Sequence, residues 1–167
     1  MLIYMHSEST VVRFVLDTSA LMSGKTFEGD LYTTPEVLSE LRRFGVTPQL
    51  EAFIENKVRI VTPGDESVDV VKRKAEETGD VNRLSPTDIG ILALAVELRA
   101  ALVTDDYSIE NTAKAMGIRY DTVMMPAIKE EVHWRYRCTG CLKFWPEWHS
   151  ACPVCGARLK TSRSKKK

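Results

Sequence analysis

All four cysteines of this chain fall between residues 138 and 155, as Cys138-x-x-Cys141, ten intervening residues, then Cys152-x-x-Cys155. Two such pairs offer four thiolates from two tight knuckles, which suits tetrahedral Zn²⁺ with a closed shell and so a structural metal, not a catalytic one. The connecting loop is shorter than the ~15–20 residues of the common pattern. Gly140 and Gly156 supply the permissive backbone that tight knuckles need. A segment of about 30 residues cannot bury enough surface to fold unaided, so zinc would provide most of its folding energy. An iron–sulfur cluster is the rival occupant, without further cofactor signals to favour it. His133 and His149 are spare ligands, but four cysteines already fill the shell and an ordinary surface role is favoured for both.

Charge divides the chain at the same place. Before Trp134 there are 14 basic and 22 acidic residues, net −8; from Trp134 onward there are 9 and 1, net +8. The overall charge of zero therefore conceals an acidic body and a basic arm, and a basic arm commonly means nucleic acid. Around the knuckles, aromatics alternate with cations: Trp134, Arg135, Arg137, Lys143, Trp145, Trp148, Arg158 and Lys160. Rings stack on unpaired bases while Arg and Lys engage phosphates, so these eight are the candidate RNA-binding residues. Tyr136 and Phe144 are expected in the small module's own core. No apolar run reaches the ~18 residues of a membrane span, and Met1 to Thr10 lacks a secretory signal pattern, which points to the cytoplasm and to reduced thiols.

The first 125 residues alternate short apolar runs with helical patterns. VVRFVL (11–16), Leu31 to Thr33, Val58 to Val61, ALVT (101–104) and Ile118 to Tyr120 read as strands. Thr34-Pro35 and Thr47-Pro48 are helix starts, Ser67 to Thr78 is a charged helix, and Ser85-Pro86 with Asp88 opens a strongly apolar one. Ser108 to Met116 is the last helix. Such alternation implies an α/β fold, a parallel sheet flanked by helices. The expected organisation is an α/β domain at 1–125, a linker at 126–133, a zinc ribbon at 134–160 and a basic tail at 161–167.

In open α/β sheets, ligands sit at the carboxyl ends of strands where strand order reverses. Asp17 ends the first strand, with no evident turn to make. Asp105 and Asp106 end a later strand, and Asp88 opens a helix near the same edge. Glu40 is able to point inward or to solvent. Clustered carboxylates repel unless cations neutralise them, and hard oxygen ligands suit Mg²⁺ or Mn²⁺, so the implied chemistry is metal-assisted phosphodiester hydrolysis. Each acid also has a plainer role: Asp88 in a capping box, Glu40 solvated, one of Asp105 and Asp106 starting a turn.

FVLDTSALM, PEVLSEL, LSPTDIGILALA and LVTDDYSI, in this order and spacing, resemble a PIN-domain nuclease across nearly all of residues 11 to 125. The resemblance implies catalytic metal-site acids at Asp17, Glu40, Asp88 and Asp106, with Asp105 as a contributor or alternative to Asp106, and Ser19 supporting the first acid. A PIN domain followed by a four-cysteine ribbon, with TDDYSIENTA and WRYRCTGC, resembles the Nin-one-binding family of ribosome-maturation endoribonucleases in its short archaeal form. That resemblance implies Mn²⁺ or Mg²⁺ at the acids, structural Zn²⁺ in the ribbon, and cleavage of precursor small-subunit (16S-type) ribosomal RNA at its mature 3′ end within a small pre-ribosomal particle, leaving a 3′-hydroxyl and a 5′-phosphate. The alternatives are a toxin-type PIN ribonuclease acting on another RNA, which the appended ribbon disfavours, and a non-catalytic RNA-binding assembly factor.

Overall fold

The computed structural model describes residues 11–123 and 132–165. Met1 to Thr10, the expected linker over 126–131 and Lys166 and Lys167 of the expected tail lie outside the described residues, as do the side chains of His133 and Arg163.

Five parallel strands form the body: β1 (Arg13–Leu16), β2 (Asp30–Thr33), β3 (Val58–Ile60), β4 (Ala101–Val103) and β5 (Tyr120–Asp121), in the order β3-β2-β1-β4-β5. Central β1 pairs with β2 on one side and β4 on the other. The chain thus winds outward from β1 in one direction and then returns to its other edge, which puts the reversal of strand order between β1 and β4. Loops leaving these two strands diverge and open a crevice there.

Helices α1 (Thr18–Met22), α2 (Pro35–Phe44), α3 (Pro48–Lys57), α4 (Asp65–Thr78), α5 (Pro86–Leu98) and α6 (Tyr107–Ala115) flank the sheet. Apolar all round, α5 buries Ile91, Leu92, Ala93, Leu94 and Ala95 and packs on β1, β4 and α4, as expected of a helix at the centre of a core. The strand and helix pattern matches the sequence expectation, with one addition. Asp17 does make a turn: it is the N-cap of the five-residue α1, accepting from the Ala20 amide at 2.9 Å. An Asp followed by Thr and Ser is an ordinary helix-start signal, hidden here because the helix is so short.

The ribbon is a separate antiparallel sheet, β7 (Phe144–Trp145), β6 (Val132–Cys138) and β8 (Leu159–Lys165), in the order β7-β6-β8. Its strands extend past the expected 134–160 on both sides, because β6 and β8 pair without interruption from Val132↔Lys165 to Cys138↔Leu159. The two modules meet at the end of α4. Gly79 caps that helix with φ +80°, and a Cβ there would lie 2.7 Å from the Trp134 carbonyl oxygen, so only glycine admits the close approach. Tyr136, 2% exposed, donates to the Gly79 carbonyl at 3.2 Å and accepts from Asn82 Nδ2 at 3.3 Å. The Arg83 guanidinium stacks 3.9 Å over the Trp134 ring.

Beside this seam lies a wholly buried carboxylate. Asp80 accepts from Thr78 Oγ1 at 2.8 Å and Asn111 Nδ2 at 2.6 Å, both at Oδ2, while Oδ1 has no partner. Burial raises its pKa, against the lowering influence of Asn111, Thr78, the Trp134 indole and Thr112. The indole Nε1 acts on this carboxylate without closing a hydrogen bond of good geometry.

Candidate active site

At the β1/β4 reversal, Asp17, Glu40, Asp88, Asp105 and Asp106 line one cavity of about 490 Å³ together with Ser19 and Thr87. Among the described residues, no Lys, Arg or His lines it. Four separate chain segments thus bring carboxylates to one place, each fixed by a different local device.

Asp17 is 7% exposed and held through both oxygens: Oδ1 accepts from Ser19 Oγ at 2.6 Å and the Ala20 amide, and Oδ2 accepts from Thr104 Oγ1. Ser19 and Thr104 in turn accept the backbone N–H groups of Asp105 at 3.2 Å and Asp106 at 3.0 Å. The loop after β4 is thereby tied to the acid after β1. Burial raises the Asp17 pKa, and the Ser19, Thr104, Ala20 and backbone Ser19 donors offset part of that rise.

Asp106 is the N-cap of α6, Oδ1 accepting from the amides of Ser108 at 2.8 Å and Ile109 at 3.1 Å. Asp105 is also engaged, its Oδ1 accepting from the Val123 amide at 2.7 Å. Asp88 forms a full capping box with Ser85, so its capping role and its place in the cavity coexist. Glu40 turns inward, where Thr87 Oγ1 donates to Oε1 at 2.6 Å. The Asp88 pKa is raised by burial, and repulsion from Asp106 and Glu40 adds to the rise. Clustered carboxylates with no basic side chain among them in the described residues form a donor set fitted to a hard divalent cation.

Thr104 and Thr87 escaped the sequence reading. Both are buried threonines donating to a cavity carboxylate, and the only sequence signal is position: Thr104 directly precedes Asp105, and Thr87 directly precedes Asp88.

Among the described residues, the four thiols are the one group of three or more candidate ligands whose donor atoms all lie within 4.8 Å of one another. Cys138 and Cys155 sulfurs are 3.3 Å apart and those of Cys141 and Cys152 3.7 Å. Four sulfurs at ~2.3 Å from one tetrahedral ion would be ~3.8 Å apart, whereas bonded sulfurs lie at ~2 Å, so these distances fit a shared ion and not disulfides. The Cys152 thiol is drawn down to about 6: burial opposes, and the amides of Val154 and Cys155 and the Cys138 and Cys141 thiols prevail. Gly140 is required by space: a Cβ there would stand 2.9 Å from the Ala157 Cβ and 3.2 Å from the Cys155 sulfur.

The candidate RNA-binding residues divide by strand alternation. Trp134 shares the inward face of β6 with Tyr136 and Cys138 and is half-buried under Arg83. Arg135 and Arg137 lie on the opposite, exposed face, with Lys160 paired to Arg137 on β8. Phe144, expected in the core, is instead 49% exposed on this face, paired to Arg137, with the Arg135 and Arg137 guanidinia 5.1 and 5.7 Å from its ring centre. Pairing across from Arg137 puts Phe144 on the outer face, and Tyr136 fills the interior with Cys138, Cys152 and Leu159. Lys143, Trp148 and Arg158 are exposed; Trp145 is half-buried, edge-on to His149.

A family model described as the PIN domain of ribonuclease matches residues 14–98. The Endoribonuclease Nob1 of Methanothermobacter thermautotrophicus is 39% identical, over 95% of this chain and 98% of that protein. Ribonuclease VapC1 of Thermoplasma acidophilum is 35% identical over 92% of this chain and 80% of its own length, an alignment that extends into the ribbon. The 20S-pre-rRNA D-site endonuclease nob1 of Schizosaccharomyces pombe is 31% identical over 59% of this chain and 26% of that protein. With a PIN-type sheet carrying convergent acids, a four-thiol ribbon behind it and near end-to-end likeness to an archaeal relative, the chain belongs to the Nob1 family of PIN-domain endoribonucleases.

Proposed function

We propose that this endoribonuclease hydrolyses precursor small-subunit ribosomal RNA at its mature 3′ end, using Mg²⁺ or Mn²⁺ at the acid cavity and Zn²⁺ in the ribbon. The observation that carries the reading is the convergence of Asp17, Glu40, Asp88 and Asp106, from four segments, on one cavity that no basic side chain among the described residues lines. These four are the catalytic residues of the proposal, with Asp105 as a contributor and Ser19 as a support to Asp17. A divalent cation bound there would polarise the phosphodiester, ionise a water and stabilise the leaving oxygen. The chain's own contribution is preorganisation: Thr104, Ser19 and the α1 amides fix Asp17, the α6 amides fix Asp106, and Thr87 fixes Glu40.

The ribbon would bind the RNA, with a single-stranded segment lying on the face that carries Arg135, Arg137, Phe144 and Lys160. The ribosomal substrate is supported by the names of the Nob1 relatives, one of them a pre-rRNA endonuclease. In this reading residues 1–125 are the nuclease module and the ribbon is the RNA-binding one.

The likeness to a protein named VapC1 favours a second reading, a ribonuclease acting on another RNA. Both are tested by incubating the purified chain with Mn²⁺ or Mg²⁺ and either an RNA spanning the 3′ end of the small-subunit rRNA or unrelated structured RNAs. Site-specific cutting of the first, lost in Asp17→Asn, supports the proposal. Equal cutting of unrelated RNAs supports the second reading, and cleavage indifferent to Asp17→Asn overturns the assigned site.

A further inference from the structure

A second cavity, of about 410 Å³, adjoins the acid cavity. Leu21, Leu50 and Phe53 give it apolar walls, and exposed Thr26, Gln49 and Lys25 stand at its rim. The two cavities are neighbours: Met22 lines both, and Phe44 of the acid cavity is followed directly by Gly45 of the second. Met22 and Phe44, the side chains at this junction, are 55% and 73% exposed. Two large apolar groups left in water beside a hydrolytic site mark a surface that something covers.

Charge narrows what that is. The body carries a net −8, yet among the described residues no carboxylate lines this cavity and Lys25 is its one charged side chain. Apolar walls, a hydrogen-bonding amide and hydroxyl at the rim, and a single cation are the complement of a nucleobase with its phosphate.

We propose that this cavity is a subsite for one unpaired nucleobase, that of a nucleotide flanking the scissile phosphate, with Met22 and Phe44 forming the ridge over which the RNA backbone passes. The inference rests on the reading of the acid cavity as the cleavage centre and adds a specificity element to it. The base lies against the wall that Leu50 and Phe53 form on one face of α3, Gln49 meets its hydrogen-bonding edge, and Lys25, whose ammonium also donates to the Val123 carbonyl, takes a phosphate with its remaining protons. A base still paired in a duplex cannot enter, so the subsite selects a single-stranded cleavage point.

The test is a scan of abasic nucleotides through the RNA around the cut, measured by single-turnover cleavage with wild type and with Thr26→Phe, which fills the cavity from an exposed loop position. Loss of one stacked base should slow the wild type about tenfold at one flanking position only. Thr26→Phe should slow cleavage of intact RNA to a similar degree and show no further penalty at that position. A flat scan, as expected if the cavity serves a protein partner, or penalties that simply multiply, overturns the subsite. A binding readout separates this from failure of the cleavage centre. RNA carrying 2-aminopurine beside the cut, bound to Asp17→Asn, should change fluorescence, and the change should vanish when Thr26→Phe is added. If that signal holds while Asp17→Asn cleaves like wild type, the acid-site reading fails and the subsite stands; if no signal appears, the subsite is overturned.

Discussion

Replacing Thr104 by Val isolates what the buried hydroxyl does for the acid cavity. Thr104 is fully buried, its Oγ1 donates to Asp17 Oδ2, and it accepts the Asp106 amide at 3.0 Å. A hydrogen bond to a charged group contributes ~1.5–3 kcal/mol, and a backbone N–H left unsatisfied adds ~1 kcal/mol or more, so Thr104→Val should cost about 3 kcal/mol. At ~2–4 °C per kcal/mol for a chain of this size, Tm should fall by roughly 6–12 °C. Thr33→Val is the control, because Thr33 is equally buried but donates to a neutral acceptor, the Leu16 carbonyl at 2.8 Å. Its cost should be only ~0.5–1.5 kcal/mol. Thermal unfolding of the zinc-loaded protein without added Mg²⁺ or Mn²⁺ reads the stability, and cleavage in their presence reads the function. Activity should fall in Thr104→Val at temperatures well below its Tm and stay near wild type in Thr33→Val. A Tm within ~2 °C of wild type, or equal losses in the two variants, would refute the claim that Thr104 acts through the Asp17 carboxylate.

Three further outcomes are expected. Asp80 has a pKa raised mainly by burial, so it binds its proton more readily folded than unfolded; it therefore weakens the fold as pH rises from the ordinary value of 3.8 through the raised one, and Asp80→Asn should flatten the pH–stability curve in that window. An unchanged curve would show that Asp80 does not carry that dependence. Phe144→Ala should leave Tm nearly unchanged, lower RNA affinity by ~1–3 kcal/mol and spare the salt dependence, whereas Arg137→Ala should reduce the salt slope by about 1. Cys152→Ser should lose zinc by metal analysis and weaken RNA binding; full affinity without zinc would remove the ribbon from the docking role.

Much of this architecture is legible in the residues. VVRFVL and ALVT are runs too short and too β-branched for helices, and their acidic ends fall where a parallel sheet opens. The capping signals at Thr34, Thr47 and Ser85 are local, and local chemistry decides them whatever the tertiary context. The convergence of the acids is another matter, because it depends on strand order, and no single segment encodes that β4 sits beside β1. Glu40 points inward because Thr87, distant in sequence, offers it a hydroxyl. Phe144 misled for a related reason: its exposure follows from which face of β6 it pairs with, a register fixed only once the knuckles close. Asp80 and Trp134, two of the groups at the seam, carry no sequence signal of their meeting.

The paired contacts on Asp17 also bear on which ions the cavity prefers. Consecutive amides of Asp105 and Asp106 reach its two oxygens through Ser19 and Thr104, so two parallel relays of equal polarity grip one carboxylate. This half of the cavity is therefore a fixed jaw, unable to widen for a larger ion without breaking both relays together. Glu40 has the longest side chain of the set and a single hydroxyl donor, which makes it the adjustable jaw. Were the proposed Mg²⁺ or Mn²⁺ bound here, discrimination by ionic radius would fall on Glu40 and its threonine, and Asp17 would set the reference against which the fit is measured.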